Sequence, residues 1–76
     1  PDNIAERNEL RGAVARAVMN LGEKYRDVTV LRIYGELPFS SIAELLGITE
    51  NSAKVIFHRA KRYVETELKR SGYIER

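Results

Sequence analysis

The sequence predicts an all-α fold, a small four-helix domain that contains a helix-turn-helix. Apolar residues recur at spacings of three and four along most of the 76 residues, which is the period of an amphipathic helix. Glycines separate these periodic segments, and helices commonly end at glycine. A β-branched cluster near Val28 has some strand propensity, but no second segment is suited to pair with it. These observations favour helices throughout.

The first predicted helix covers residues 4–21, with Asp2 or Asn3 as its N-cap. Gly22 ends it, and a second helix is predicted over residues 23–34, closed by Gly35. Both helices carry an apolar stripe. The stripe of the first consists of Leu10, Val14, Ala17, Val18 and Leu21, and that of the second of Tyr25, Val28, Leu31 and Tyr34.

A short third helix is predicted over residues 39–46. Pro38 suits its start, because the missing amide hydrogen is not needed there. Its inner face is predicted to hold Ile42, Leu45 and Leu46. Gly47 supplies the positive φ that lets the chain reverse.

The fourth helix is predicted from residue 50 to residue 70. Thr49 is placed to cap it by accepting a hydrogen bond from the amide of Ser52, and Gly72 ends it, which leaves residues 71–76 as a predicted frayed tail. Apolar positions recur at helical spacing at Ala53, Phe57, Ala60 and Val64. This pair of short helices around a glycine corner is the layout of a helix-turn-helix, whose second helix enters the major groove of DNA.

Charge is divided unequally along the chain. Residues 1–50 carry 6 Lys/Arg and 8 Asp/Glu, a balance of −2, whereas residues 51–76 carry 7 and 3, a balance of +4. No acidic residue occurs between residues 51 and 64, which is typical of a surface that faces phosphates. A solvated helix face is the alternative, because such faces are commonly rich in Lys and Arg. The corner that precedes this segment favours DNA.

The fourth helix supplies most of the candidate DNA-binding residues. Arg59 could bind guanine O6 and N7, or it could instead pair with a carboxylate such as Glu44. Val55 could pack on a thymine methyl group, or, with Ile56, could form an exposed apolar surface for a protein partner. The candidates are Asn51, Ser52, Lys54, Val55, His58, Arg59 and Arg62.

Composition argues against several other classes of protein. With no cysteine and one histidine, the chain offers no disulfide framework, no thiolate zinc site and no Cys/His or Ser/His/Asp catalytic set. No cofactor is expected, and no apolar run approaches the roughly 20 residues that a membrane span needs. We therefore expect a non-enzymatic, cytoplasmic protein with no membrane partner. Because the chain opens on Pro1, we also expect an excised domain of a longer protein.

Several motifs in order resemble region 4, the promoter-reading domain of extracytoplasmic-function RNA polymerase sigma factors. The similar stretch covers residues 21–68 and includes IAELLGI, a turn that also suits other helix-turn-helix regulators. The resemblance therefore depends on EKYRDV, LRIY and HRAK occurring together. The chain departs from the family at Gly22, where proline is usual, and at Val55 and Ile56, where Ser-Arg is common. The missing arginine leaves the base preference open.

The resemblance implies that residues 1–76 form a single DNA-binding domain that recognises the −35 promoter element. Its partners would be double-stranded promoter DNA, the β flap of the RNA polymerase core and an anti-sigma factor. Arg26 and Arg32 fall where family members have basic residues available to phosphates. Two other interpretations stay open: a module that only binds proteins, and a free-standing dimeric helix-turn-helix regulator.

Overall fold

The computed structural model describes the backbone of residues 2–75 and the side chains of residues 7–75. Four helices make up the described part of the chain, and it contains no strand, which confirms the predicted all-α class. In chain order they are α1 (Asp2–Met19), α2 (Glu23–Ile33), α3 (Phe39–Leu46) and α4 (Glu50–Arg70).

The ends of α1 and α2 differ slightly from the prediction. α1 already includes Asp2 and Asn3, and their proposed capping side chains lie outside the described residues. α2 ends at Ile33, so that Tyr34 is its C-cap, 57% exposed, and not part of the apolar stripe. Its N-cap is Gly22, which provides no side-chain hydrogen bond.

The corner between α3 and α4 forms as predicted. Gly47 has a φ of 67°, in the left-handed region, and its amide donates to the carbonyl oxygen of Ala43. Thr49 Oγ1 accepts from the amide nitrogen of Ser52 at 3.0 Å. This bond satisfies one of the free amides at the start of α4. The corner therefore fixes where the last helix begins.

Two groups of buried side chains hold the helices together. The helix-turn-helix cluster joins α2, α3 and the first turns of α4, and its buried members are Val28, Ile42, Ala53 and Ile56. The α1 cluster joins α1 to the later turns of α4, and its buried members are Ala13, Ala17, Val18, Val64 and Leu68. α4 is the element that both clusters share.

Two predictions about the packing are wrong. Leu45 is 65% exposed instead of facing inward, because Ile42, Ala43 and Leu46 already define the inner face and Leu45 lies to one side of it. The tail after α4 is not frayed at residues 73 and 74. The amide of Tyr73 donates to the carbonyl of Leu68, and Ile74 packs against the α1 cluster.

Candidate nucleic-acid interface

The exposed face of α4 lies opposite its buried face. Ala53, Ile56 and Ala60 point into the protein with Val64 and Leu68, at spacings of three and four that keep them on one side of the helix. The expectation that Ile56 is exposed is therefore wrong, since its side chain is 8% exposed. Phe57 lies at the edge of the core, half-buried. Most of the remaining positions of α4 are exposed.

This outward face contains the predicted candidates. Successive helical residues rotate by about 100°, which places Asn51, Val55, His58 and Arg62 farthest from the buried positions. These four residues are exposed, and Val55 is 40% exposed. We call these four residues the outer face of α4. It presents polar and basic groups around one apolar side chain.

Lys54 and Ser52 already have partners within the first turn of α4. Lys54 Nζ lies 3.9 Å from Glu50 Oε1, with both side chains more than half exposed, an ion pair of little energy that a phosphate could replace. Ser52 Oγ lies 2.8 Å from Thr49 Oγ1. Its backbone amide also bonds to Thr49, so Ser52 serves the cap.

Arg59 flanks the outer face on the side of α2. No ion pair within residues 7–75 involves Arg59, and the suggested pairing with Glu44 is absent from this part of the chain. Its side chain lines an open groove between the first turn of α2 and α4, shared with Lys24, Tyr25 and Val55. A second depression adjoins this groove, and Tyr25 and Arg59 line both of them. With no ion pair to the described residues, the guanidinium could bind an external ligand.

Sequence reasoning missed Lys24, which lines this groove opposite Arg59. The residue is exposed in the first turn of α2, far from α4 in sequence but next to it in the fold. The signal was present in the EKYR motif, yet only the packing of α2 against α4 shows that Lys24 and Arg59 share one surface. Together they make the groove basic on both walls.

Arg26 and Arg32 lie on α2 in different settings. Arg26 Nε is 4.0 Å from Asp27 Oδ1, and its side chain is about a third exposed. Arg32 is half-buried and donates from Nη1 to the carbonyl oxygen of Leu37 at 3.0 Å. Arg26 therefore has only a weak partner, whereas Arg32 is held by the protein itself.

An ion pair is found at the C-terminal end of α4 as well as at its start. Arg70 Nη2 donates a hydrogen bond to Glu67 Oε2. This hydrogen bond and the negative charge of Glu67 raise the pKa of Arg70 above its ordinary value. Among residues 7–75, the basic residues in the middle of α4, Arg59, Lys61 and Arg62, form no ion pair.

Other kinds of site find no support in residues 7–75. No group of three or more histidine, cysteine, aspartate or glutamate side chains in that range is arranged to hold a metal ion. None of the helices in the described part of the chain is long and apolar enough to cross a membrane.

Comparison with known proteins agrees with this geometry. The sequence model of the family described as Sigma-70, region 4, matches residues 11–64, which is more than half of the chain. The chain belongs to this family. The match includes α2, α3 and the part of α4 that carries the outer face. Membership of this sigma-factor family indicates a role in transcription.

A curated relative supports the same assignment. The region 4 domain is 29% identical over 69 residues to the ECF RNA polymerase sigma factor SigW of Bacillus subtilis (strain 168). The match covers 91% of the domain and 37% of that protein, so the domain spans about a third of its length. Both findings confirm the resemblance to region 4 of an extracytoplasmic-function sigma factor. No solved structure matches the chain.

Proposed function

We propose that residues 1–76 form a single domain that recognises the −35 promoter element by inserting the outer face of α4 into the major groove. The domain would be part of a cytoplasmic sigma factor that directs RNA polymerase to promoters. It would bind DNA and would not catalyse a reaction. The observation that carries this proposal is the acid-free segment 51–64, whose polar and basic groups are exposed beside a capped helix start. The family membership supports it.

The proposal assigns roles to several groups on and beside this surface. A major groove about 12 Å wide admits one α-helix, and α4 presents Asn51, Val55, His58 and Arg62 along that helix. Arg59 would bind guanine, and Val55 would pack on a thymine methyl group. The remaining groups, from Lys54, Ser52, Arg26 and the newly found Lys24, would bind backbone phosphates.

Arg59 provides the sharpest test of base recognition. Arg59→Ala should reduce the preference for the best promoter duplex over a scrambled one by about 1–3 kcal/mol, the value of one bidentate arginine–guanine contact. The measurement is an anisotropy titration with both duplexes. Arg11→Ala, at an exposed position on α1, is the matched control. Equal preference in Arg59→Ala and the parent protein would remove Arg59 from the base-reading set.

Lys24 tests the groove. Lys24→Ala should weaken all duplexes by a similar factor and lower the magnitude of the slope of log affinity against log salt by about 0.9, the contribution of one phosphate. Lys69→Ala, in the last turn of α4, is the control and should leave the slope unchanged. An unchanged slope in Lys24→Ala would show that the groove does not receive DNA backbone.

The exposed side chain of Val55 favours a second candidate function, the binding of a protein on the same face. Such a partner could be an anti-sigma factor, or the flap of the polymerase could bind another face of the domain. Competition experiments separate these cases, because a protein that covers the outer face of α4 must displace DNA. Simultaneous binding of duplex and partner would place the partner elsewhere. Sedimentation of a monomer at micromolar concentration would exclude the dimeric regulator.

A further inference from the structure

Arg32 makes two contacts at once in the last turn of α2. Its Nη1 donates to the carbonyl oxygen of Leu37 at 3.0 Å, and its Cζ lies 4.3 Å from the ring centroid of Phe39. The first contact holds the loop between α2 and α3, and the second holds the first residue of α3. A planar guanidinium can bond at its edge while stacking on a ring, which an ammonium group cannot do.

The loop that Arg32 holds is short and turns sharply. Glu36 has a φ of 54°, a conformation that costs a non-glycine residue energy. Gly35 leaves no room for a Cβ, which would lie 2.7 Å from the carbonyl oxygen of Leu31. That same oxygen accepts from the amide of Leu37 at 3.1 Å. Both backbone polar groups of Leu37 are therefore bound by α2, one of them through Arg32.

Phe39 continues this line of contacts to α4. Its ring centroid lies 5.7 Å from that of Phe57, with the ring planes tilted by 59°, a favourable aromatic arrangement. Phe57 lies on α4 between the buried face and the exposed residues. The contacts thus run from α2 through Arg32 and Phe39 to the helix that carries the outer face.

We propose that Arg32 is a positioning residue, which sets the orientation of α4 relative to α2 by fixing this loop, and that it does not bind DNA phosphate. The effect on DNA rests on the proposed function, whereas the effect on orientation does not. The salt dependence of a phosphate contact follows the positive charge, so lysine would keep it and alanine would remove it. A clamp needs the planar, forked shape of arginine.

The first experiment measures the orientation without DNA. Residual dipolar couplings of the amides in α2 and α4 give the angle between the two helices in the folded protein. Arg32→Lys should change this angle, shift the ring resonances of Phe39 and speed the exchange of the Leu37 amide. Arg26→Lys, on the same helix, should leave all three unchanged. Unaltered couplings in Arg32→Lys would overturn the proposal.

The second experiment uses duplex binding at a temperature where circular dichroism shows each variant to be folded. Arg32→Lys and Arg32→Ala should both weaken binding roughly fivefold, because α4 would no longer be held in the orientation that fits the duplex, with the salt slope unchanged. The proposal is wrong if Arg32→Lys binds like the parent protein while Arg32→Ala lowers the magnitude of the slope of log affinity against log salt by about 0.9. Arg32 would then be a phosphate ligand. A parent protein that binds no duplex would contradict the proposed function, and the couplings would still decide the role of Arg32.

Discussion

The two clusters of the domain differ in how completely they enclose their side chains. In the helix-turn-helix cluster Val28, Ile42 and Ala53 are fully buried, and aromatic residues pack around them. In the α1 cluster two of the five buried residues are alanines, and only Val18 is almost fully enclosed. Because alanine buries little apolar area and no aromatic residue is among the described members of the α1 cluster, we expect this cluster to contribute less free energy. The comparison teaches that the part carrying the candidate interface is the more firmly packed part.

The largest expected effect comes from the centre of the helix-turn-helix cluster. Ile42→Ala should lower the free energy of unfolding by about 2–5 kcal/mol, because it removes buried methyl groups and leaves a cavity. Urea denaturation followed by circular dichroism measures this. Leu45→Ala on the same helix, at a position that is 65% exposed, should change stability by less than about 0.5 kcal/mol. Equal losses in the two variants would contradict the assigned burial.

A smaller loss is expected in the α1 cluster. Val18→Ala should lower the free energy of unfolding by about 2 kcal/mol, from two lost methyl equivalents and a small cavity. Native-state hydrogen exchange should show α1 losing more protection than α3, because the helix-turn-helix cluster does not include α1. A uniform loss of protection would show instead that the two clusters unfold as one unit.

The N-caps of α4 and α2 also differ, because Thr49 supplies a side-chain hydrogen bond and Gly22 does not. Thr49→Ala should cost about 1 kcal/mol, since it removes the oxygen that accepts from the Ser52 amide. Thr49→Ser keeps that oxygen and should retain most of the stability in a thermal melt. If the alanine and serine variants melt together, the cap does not stabilise the domain.

The smallest expected effect is a gain. The N-cap of α2, Gly22, makes no side-chain hydrogen bond, and a Cβ added there would meet no other atom within 4 Å. Gly22→Ser should therefore stabilise the domain by a few tenths of a kcal/mol, the usual difference between serine and glycine at this position. Thermal melts of the variant and the parent protein check it. A lower melting temperature would show that the α1–α2 connection needs glycine itself.

The helix-turn-helix corner was predictable because its signals are local. Gly47 and Thr49 act within a few residues of themselves, through a positive φ and a single hydrogen bond to Ser52. Local chemistry of this kind is independent of the rest of the fold. The end of α3 and the start of α4 follow from these residues, and the structure confirms both.

Burial and contacts between distant segments were harder to predict. Ile56 and Leu45 are both apolar residues beside a helix stripe, and only the packing of neighbouring helices decides that the first is buried and the second exposed. Lys24 and Arg59 are 35 residues apart in sequence, and Arg32 was assigned from the resemblance to the sigma-factor family. Its contacts with Leu37 and Phe39 depend on how the loop folds, which periodicity does not specify.

Both halves of α4 are packed against other helices. The first half packs in the helix-turn-helix cluster and the second half packs in the α1 cluster. Asn51 and Arg62, at the two ends of the outer face, lie on this one continuous helix, so the spacing between them is set before any partner binds. A partner that binds the outer face must then adapt its own shape to this fixed spacing. For a DNA duplex this means local bending or a change of groove width, and sequences that deform easily would gain an advantage even at base pairs the protein does not touch.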